Sequence, residues 1–314
     1  MIALLAPGQG SQSPGMLTPW LALEGAEDRV AAWSEVAELD LRRLGTTASA
    51  EEIKNTAVTQ PLVVAVSLLA AEELARRLDL PADAPIAGHS VGELSAAAVA
   101  GVLTADEAIA LSAVRGREMA AACELEPTGM SAILGGDPDE VTAVLARLGL
   151  DPANRNGAGQ VVAAGRLDAL AALADDKPDR TRVVSLSVAG AFHTRFMAPA
   201  EKALTQHATR LTAKNPSRPL LSNADGEVVG DGAEMLRRLV AQVTRPVRWD
   251  SCMAGLGALG VTATVELPPS GSLSGLVKRT LKGTVTLALK IPEDLDQAVG
   301  LVEDHSGQQS RDPA

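Results

Sequence analysis

The chain has 314 residues, enough for one large or two ordinary domains, and 46% of them are hydrophobic, enough for a full core. A net charge of −11 without any basic block argues against nucleic-acid binding. No apolar run approaches the ~18 residues of a membrane helix, and the N-terminus lacks a signal peptide's basic region. Two distant cysteines predict neither disulfides nor a zinc site. These features predict a cytoplasmic protein without metal or membrane contacts.

The first third of the chain reads as two buried strands separated and followed by helices. The strands are predicted at 2–6 and 85–87, and the loop after the first contains Gly8-Gln9-Gly10. Thr104 and Glu107 form a capping-box pattern, and Pro61 is expected in the first turn of a long helix. The predicted helices are 17–23, 27–44, 50–55, 60–78, 93–100 and 105–122.

The next 60 residues or so follow a different order of elements. Strands are predicted at 130–134, 151–155, 160–164 and 181–187, and helices at 138–148 and 166–174. The order β-α-β-β-α-β is that of the split βαβ, or ferredoxin-like, motif. Residues 125–187 are therefore predicted to be a small inserted domain.

Strands and helices alternate again in the remainder of the chain. The predicted helices are 195–213, 233–243, 249–259, 273–281 and 293–302, and the strands are 219–222, 262–267 and 285–289. This alternation favours a mostly parallel sheet with helices on both faces. We predict an α/β fold with a large domain of residues 1–124 and 188–304, the insert, and a disordered tail at 305–314.

A G-x-S-x-G pattern at Gly88-His89-Ser90-Val91-Gly92 lies between the second predicted strand and an alanine-rich helix. That context is the one required by a nucleophile elbow. Small residues at Gly88 and Gly92 permit the tight turn, and the helix N-terminus favours a developing negative charge at the serine. Ser90 is the candidate nucleophile, and the alternative is a simple helix N-cap.

His193 is the best placed of the four histidines to act as a base for this serine. It follows a predicted strand and precedes a helix, where the sites of parallel sheets gather. The alternative is a satisfied loop histidine. No carboxylate is obviously placed to complete a triad, so a Ser-His pair oriented by an amide or carbonyl is expected. Asp225 is a rival partner, although Asn223-Ala224-Asp225-Gly226 has the composition of a turn.

Two further features leave alternatives open. The loop containing Gln9 could donate a backbone N–H to an oxyanion beside the elbow, or form a simple strand-to-helix turn. It matches neither a dinucleotide fingerprint nor a phosphate-binding loop. Arg115 and Arg117 are two positions apart on one helix and project to nearly opposite faces. One of them could be buried and bind a substrate carboxylate, while either could be a surface residue.

Together, these motifs resemble the malonyl-CoA:acyl carrier protein transacylases of fatty-acid and polyketide synthesis. The motifs, in order, are PGQGSQ at 7–12, QP at 60–61, GHSVGE at 88–93, RGREM at 115–119, GQVV at 159–162, GAFH at 190–193 and PVRW at 246–249. They cover nearly the whole chain. The resemblance implies a large hydrolase-like α/β domain with an inserted ferredoxin-like subdomain, in agreement with the predicted elements.

The resemblance also implies chemical roles. Ser90 would be the acylated nucleophile, and His193 would act first as base and then as acid. The backbone N–H groups of Gln9 and Val91 would form the oxyanion hole. A histidine oriented by a carbonyl would explain why no triad aspartate is evident.

Four residues would bind or select the substrate according to the resemblance. Arg115 would pair with the free malonyl carboxylate, and the backbone carbonyl of Gln242 would orient the histidine. Asn156 would line the site. Phe192 would crowd out an α-methyl group, a discrimination of only ~1–3 kcal/mol, although the motif here begins with Gly190 where the family pattern usually has histidine.

The implied reaction is a ping-pong transfer of malonyl from malonyl-CoA to the phosphopantetheine thiol of acyl carrier protein. It needs no cofactor beyond the CoA thioester substrate, and the enzyme is expected to be a monomer. Because carrier proteins are acidic, docking would need local basic residues. The candidates are Lys177, Arg180, Arg182, Lys202, Lys278, Arg279 and Lys282. The alternatives are a serine hydrolase, a transferase of another acyl group and a non-catalytic binding module.

Overall fold

Two separate β-sheets organise the structure, a computed structural model that describes residues 1–306. Within these residues the strands are β1 Ile2–Ala6, β2 Ile86–Gly88, β3 Thr128–Gly135, β4 Asp151–Gly157, β5 Gln160–Arg166, β6 Thr181–Ser185, β7 Leu220–Leu221, β8 Ala263–Glu266 and β9 Val285–Ala288. The α-helices are α1 Ala26–Ala37, α2 Leu41–Thr46, α3 Thr56–Arg77, α4 Gly92–Val99, α5 Ala105–Cys123, α6 Pro138–Leu148, α7 Leu167–Asp175, α8 Ala198–Ala208, α9 Gly232–Ala241, α10 Trp249–Ala258, α11 Ser272–Thr280 and α12 Asp294–Ser306. Short 3₁₀ turns lie at Thr18–Ala22, Glu52–Lys54, Arg195–Met197 and Gln242–Thr244.

The larger sheet is parallel and has the strand order β7-β2-β1-β8-β9. All residues of β1, β2 and β8 are buried, as expected for strands covered on both faces. Ala6 of β1 is paired with Gly88 of β2, so the loops that follow these two strands emerge side by side. The glycine-rich loop and the elbow therefore meet at the carboxyl edge of the sheet, where ligands bind in open α/β sheets.

The smaller sheet is antiparallel and has the order β4-β5-β3-β6. With α6 and α7 between its strands it has the ferredoxin-like arrangement. Its core contains Ile133, Leu145 and Leu173 and is distinct from the core of the larger sheet. The predicted fold class, a parallel α/β body with an inserted ferredoxin-like unit, is confirmed.

Several element boundaries differ from the sequence-based prediction. The helix predicted at 27–44 is two helices, because Glu38 adopts a left-handed conformation and Asp40 caps α2. Asn55 caps α3 four residues earlier than expected, which places Pro61 inside the helix and not in its first turn. The capping box of Thr104 and Glu107 is confirmed.

The helix after His193 is shorter than the predicted 195–213, since α8 ends at Ala208. At the C-terminus, α12 continues to Ser306 and includes the first two residues of the predicted tail. Residues 307–314 of that tail lie outside the described part of the chain.

One helix of the described chain, α3, is long and apolar enough to cross a membrane by length and composition, with a mean hydropathy of 1.4. Its most apolar window is 78% buried within the protein. Helix α3 contacts α4 and packs extensively against α5. A helix that is apolar nearly all round and covered by its neighbours is a core helix of the fold.

Candidate active site

Ser90 lies in a sharp turn between β2 and α4. Its φ of 53° is left-handed, a conformation that costs free energy in a non-glycine residue and that concentrates at functional sites. A Cβ on Gly88 would lie 2.1 Å from the backbone of Gly92, and one on Gly92 would lie 2.2 Å from the carbonyl oxygen of Ala6. Both glycines are therefore required for the turn to pack against β1.

A buried asparagine holds this turn in place. Asn223 accepts a hydrogen bond from the Ser90 backbone N–H at 2.8 Å, and its Nδ2 donates to the Gly88 carbonyl at 2.8 Å. The sequence showed Asn223 only as part of a turn. The neighbouring Asp225, the rival triad member, instead pairs with Arg238 at 2.8 Å and makes no hydrogen bond to Ser90 or His193.

His193 is buried and lies directly beside the serine. Its Nε2 is 2.7 Å from Ser90 Oγ, and its Nδ1 is 2.9 Å from the backbone carbonyl of Gln242. Because a carbonyl can only accept, Nδ1 must carry the proton and Nε2 is left free to accept from the serine hydroxyl. Burial and the charge of Arg115 lower the pKa of His193 to about 3, which keeps its imidazole neutral. Like Ser90, it has a left-handed φ, of 61°.

Two backbone N–H groups beside the serine are without hydrogen-bond partners among residues 1–306, those of Gln9 and Val91. Val91 caps the N-terminus of α4, where the helix dipole favours negative charge. The Gln9 side chain donates to Thr56 Oγ1 at 3.3 Å and lines the cavity in front of the serine. Both N–H groups are therefore free to donate to a negatively charged oxygen.

Arg115 is buried, whereas the side chain of Arg117 is 56% exposed. The guanidinium of Arg115 donates to Gln60 Oε1 at 2.7 Å and to Gln242 Oε1 at 2.7 Å. Its Nη2 also approaches Ser90 Oγ at 3.3 Å. Burial lowers the pKa of Arg115 to about 10, which still leaves it charged at neutral pH. The structure thus places a cation with neutral amide partners beside the serine.

Gln60 is a site residue that the residue-by-residue reading missed, although it belongs to a motif of the resemblance. In the sequence, Gln60 is distinguished only as a polar amide at the start of the apolar run of α3. Gln242 does not line the cavity. Its carbonyl holds His193, while its side-chain oxygen holds Arg115.

Asn156 does not line the cavity either. Its Oδ1 accepts a hydrogen bond of 2.9 Å from Nε2 of His89, whose ring also packs edge-on against Trp249. Asn154, two residues earlier, lines the cavity instead. Strict alternation would put residues 154 and 156 on the same face of β4, but register shifts on both sides of residue 154 interrupt the regular pairing, and only Asn154 of the two lines the cavity.

The cavity in front of Ser90 has a volume of about 100 Å³ and lies between the two sheets. Its lining combines the polar site residues with apolar side chains. The apolar lining comes from Met119, Met130, Val162, Leu186, Val188 and Phe192. Phe192 is 6% exposed and lines this cavity, so its ring can limit the size of a bound acyl group.

Residues 1–306 contain no group of three or more His, Cys, Asp or Glu side chains that could hold a metal ion. The two cysteines, Cys123 and Cys252, are free. The cavity presents a hydroxyl, an imidazole and a guanidinium, with the backbone donors beside them. Such a set can form and break an ester at Ser90, which defines the class of a serine-dependent acyl-transfer enzyme.

Comparison with known proteins agrees with this class. Residues 4–308 match the model of the acyl transferase domain family. The malonyl CoA-acyl carrier protein transacylase of Mycobacterium tuberculosis is 59% identical over 302 residues, which cover 96% of this chain and all of that protein.

Solved structures show the same similarity in three dimensions. The crystal structure of MCAT from Mycobacterium tuberculosis matches with a TM-score of 0.92 and 58% identity, covering 95% of this chain and 99% of that one. An acyl-carrier-protein-S-malonyltransferase from Bartonella henselae matches with a TM-score of 0.90 and 28% identity, covering 96% and 99%. The chain belongs to the acyl transferase family and, within it, to the malonyl-CoA:acyl carrier protein transacylases, as its motifs indicated.

Proposed function

We propose that this protein transfers the malonyl group of malonyl-CoA to the phosphopantetheine thiol of acyl carrier protein through a malonyl ester on Ser90. The observation that carries the proposal is the position of Ser90 Oγ, 2.7 Å from His193 Nε2 and 3.3 Å from Arg115 Nη2. A base and a carboxylate-binding cation thus face the same oxygen. A malonyl thioester presents its thioester carbonyl and its carboxylate at the two ends of three carbons.

In the first half-reaction, Ser90 Oγ attacks the thioester carbonyl and its proton passes to His193 Nε2. The negative charge on the carbonyl oxygen is stabilised by the N–H groups of Gln9 and Val91. The C–S bond then breaks, and His193 returns the proton to the departing CoA thiolate. The second half-reaction repeats these steps with the carrier thiol as nucleophile and Ser90 as leaving group.

Arg115 binds the malonyl carboxylate during both half-reactions. Its present partners, Gln60 and Gln242, are neutral oxygens that leave its positive charge uncompensated by direct contact. A carboxylate would form charge-assisted hydrogen bonds with it that are stronger than those to amides. The pairing with Arg115 holds the malonyl group in one orientation. In that orientation the carrier thiol can reach the ester, and water cannot.

Docking of an acidic carrier protein is supported by the basic residues that the sequence singled out. All seven are exposed and none forms a salt bridge within residues 1–306. Their charges are therefore available to a partner.

Four further properties remain predictions of the sequence. They are the boundaries of the two domains, a monomeric state, a cytoplasmic location and the absence of a cofactor.

The experiment that tests the function is a measurement of intact mass after incubation with malonyl-CoA. We expect a malonyl adduct on the wild-type chain, no adduct on Ser90→Ala, and loss of the adduct when carrier protein bearing phosphopantetheine is added. A serine hydrolase would instead show rapid loss of the adduct without carrier protein. An adduct on Ser90→Ala would overturn the role of this serine.

A further inference from the structure

Glu93, in the first turn of α4, is a buried carboxylate that the proposed mechanism does not use. It is only 1% exposed. Its Oε1 accepts a hydrogen bond of 2.6 Å from the backbone N–H of Asn223, and its Oε2 accepts from Nε2 of Gln242. Both oxygens therefore face N–H donors. Neither donor is an N–H group of α4, so the carboxyl group does not cap its own helix.

The two partners of Glu93 hold all the reactive groups of the site. Asn223 fixes the elbow through the backbone of Ser90. Gln242 fixes His193 through its carbonyl and Arg115 through its side-chain oxygen. One carboxylate is thus linked, through two amides, to the serine, the histidine and the arginine.

The chemistry of the Gln242 amide makes this link directional. The Gln242 NH₂ group donates to Glu93 Oε2, and the same group lies 3.2 Å from the Ser90 carbonyl. The amide oxygen is then turned toward Arg115, where it accepts at 2.7 Å. A reversed amide would set NH₂ against the guanidinium and leave both groups unsatisfied.

We propose that Glu93 is a positioning residue for recognition of the malonyl carboxylate, because it fixes the amide of Gln242 that aims the Arg115 guanidinium. The proposal rests on the role given to Arg115 above. Burial raises the pKa of Glu93 to about 8, whereas the hydrogen bonds from Asn223 and Gln242 and the charge of Arg115 act to lower it.

Glu93→Gln tests this inference with almost no change in shape. One of its two terminal groups becomes an NH₂, which must face a donor and so breaks one of the two hydrogen bonds. We expect kcat/KM for malonyl-CoA to fall by about 10- to 100-fold, the loss that corresponds to one hydrogen bond to a charged group. The loss should come mainly from KM, and kcat/KM for acetyl-CoA, which has no carboxylate, should change much less.

Glu140→Gln is the matched control. Glu140 also lies in the first turn of a helix, α6, and accepts a backbone N–H, that of Asp179, at 2.9 Å. It is part of the antiparallel unit and does not line the cavity. Its substitution should leave both substrates unaffected, so a general effect of losing a helix-end carboxylate would be recognised.

Gln242→Met provides a second route if Glu93→Gln fails to fold, as judged by its melting temperature. It keeps the backbone carbonyl that holds His193 and removes the amide that joins Glu93 to Arg115. It should reproduce the loss of malonyl preference. If folded Glu93→Gln and Gln242→Met both kept the wild-type ratio of malonyl to acetyl activity, the inference would be overturned.

Arg115→Ala separates this inference from the proposed function. If Arg115→Ala loses malonyl preference and Glu93→Gln does not, only the role of Glu93 is wrong. If Arg115→Ala itself keeps that preference, the assignment of Arg115 fails. In the double variant, Glu93→Gln should have no further effect on the malonyl to acetyl ratio, because it acts through the missing guanidinium.

Discussion

The two halves of the candidate active site are built from different kinds of groups. The half that would break and form bonds consists of Ser90, His193 and backbone donors, and its histidine is oriented by a neutral carbonyl. The half that would recognise the substrate is a charged side-chain network in which Arg115 and Glu93 are bridged by Gln242. The halves meet at Ser90 Oγ, which contacts both His193 and Arg115.

The difference between the halves separates reactivity from selectivity. A hydroxyl, an imidazole and two N–H groups suit any acyl thioester, because every thioester carbonyl develops the same negative charge. Of the groups in the site, the guanidinium is the one whose charge can distinguish an acyl group that carries a carboxylate. Substitutions in the first half should therefore affect all acyl-CoAs alike, and substitutions in the second should change the ratio between them.

The largest effect is expected from His193→Ala. Loss of a general base costs about 10²- to 10⁴-fold in rate, and here it should do so for malonyl-CoA and acetyl-CoA equally. Single-turnover acylation measured with both substrates provides the comparison. His207→Ala, in α8, is the control and should retain full activity. A loss of acylation rate confined to malonyl-CoA would show that His193 acts in substrate recognition. It would contradict the division of the site into a reactive half and a recognition half.

The same histidine gives a pH dependence with a defined sign. Because burial and Arg115 lower the pKa of His193 to about 3, its imidazole stays neutral and able to accept a proton throughout the mildly acidic range. We expect kcat/KM to stay level between about pH 5.5 and 7, where a histidine of ordinary pKa, about 6.5, would already be losing activity. A tenfold fall per pH unit below 6.5 would show that the pKa of His193 is close to its ordinary value.

The next largest effect is expected from Arg115→Ala. A charge-assisted hydrogen bond contributes about 1.5–3 kcal/mol, so malonyl transfer should fall by roughly 10- to 100-fold while transfer of acetyl is retained or improved. Arg117→Ala, on the exposed face of the same helix, is the matched control. Measurement of kcat/KM for both acyl-CoAs tests the prediction, and an equal loss for both would assign Arg115 to the reactive half.

Arg115→Ala should also move the pH profile. The charge of Arg115 is one cause of the low pKa of His193, so its removal should raise that pKa and shift the acidic limb of activity to higher pH. This shift would show that the two halves are electrostatically coupled. By the same reasoning, a malonyl carboxylate that neutralises Arg115 makes His193 a better base when the correct substrate is bound.

Prediction from sequence succeeded best where the function depends on neighbouring residues. The elbow is encoded by Gly88, Ser90 and Gly92 between a strand and a helix, and the structure places Ser90 in that turn. The parallel sheet and the ferredoxin-like unit follow from the order of elements, which the hydrophobic pattern reveals. These features are local, so the residues that form them can be recognised without knowing their distant contacts.

The recognition network could not be predicted in the same way. Gln60, Glu93 and Asn223 come from three separate parts of the chain and meet only after folding. Nothing in their immediate neighbours distinguishes a buried Gln or Glu from a solvated one. Arg115 was identified by resemblance alone, and the burial that separates it from Arg117 is a property of how α5 packs on α3.

The smallest effect is expected from Phe192→Ala, which tests whether selectivity also depends on shape. The ring is buried and lines the cavity next to His193, so it can oppose an α-methyl group without any charge. One methyl group is worth about 1–3 kcal/mol in such a pocket. The ratio of methylmalonyl to malonyl transfer should therefore rise by about tenfold, whereas the ratio of malonyl to acetyl should hardly change. Phe196→Ala is the matched control, since Phe196 is the only other phenylalanine in the chain and its ring packs against Arg195. If Phe192→Ala changed malonyl and methylmalonyl transfer equally, the ring would support His193 and would not be a size filter, and selectivity would then depend on the charged network alone.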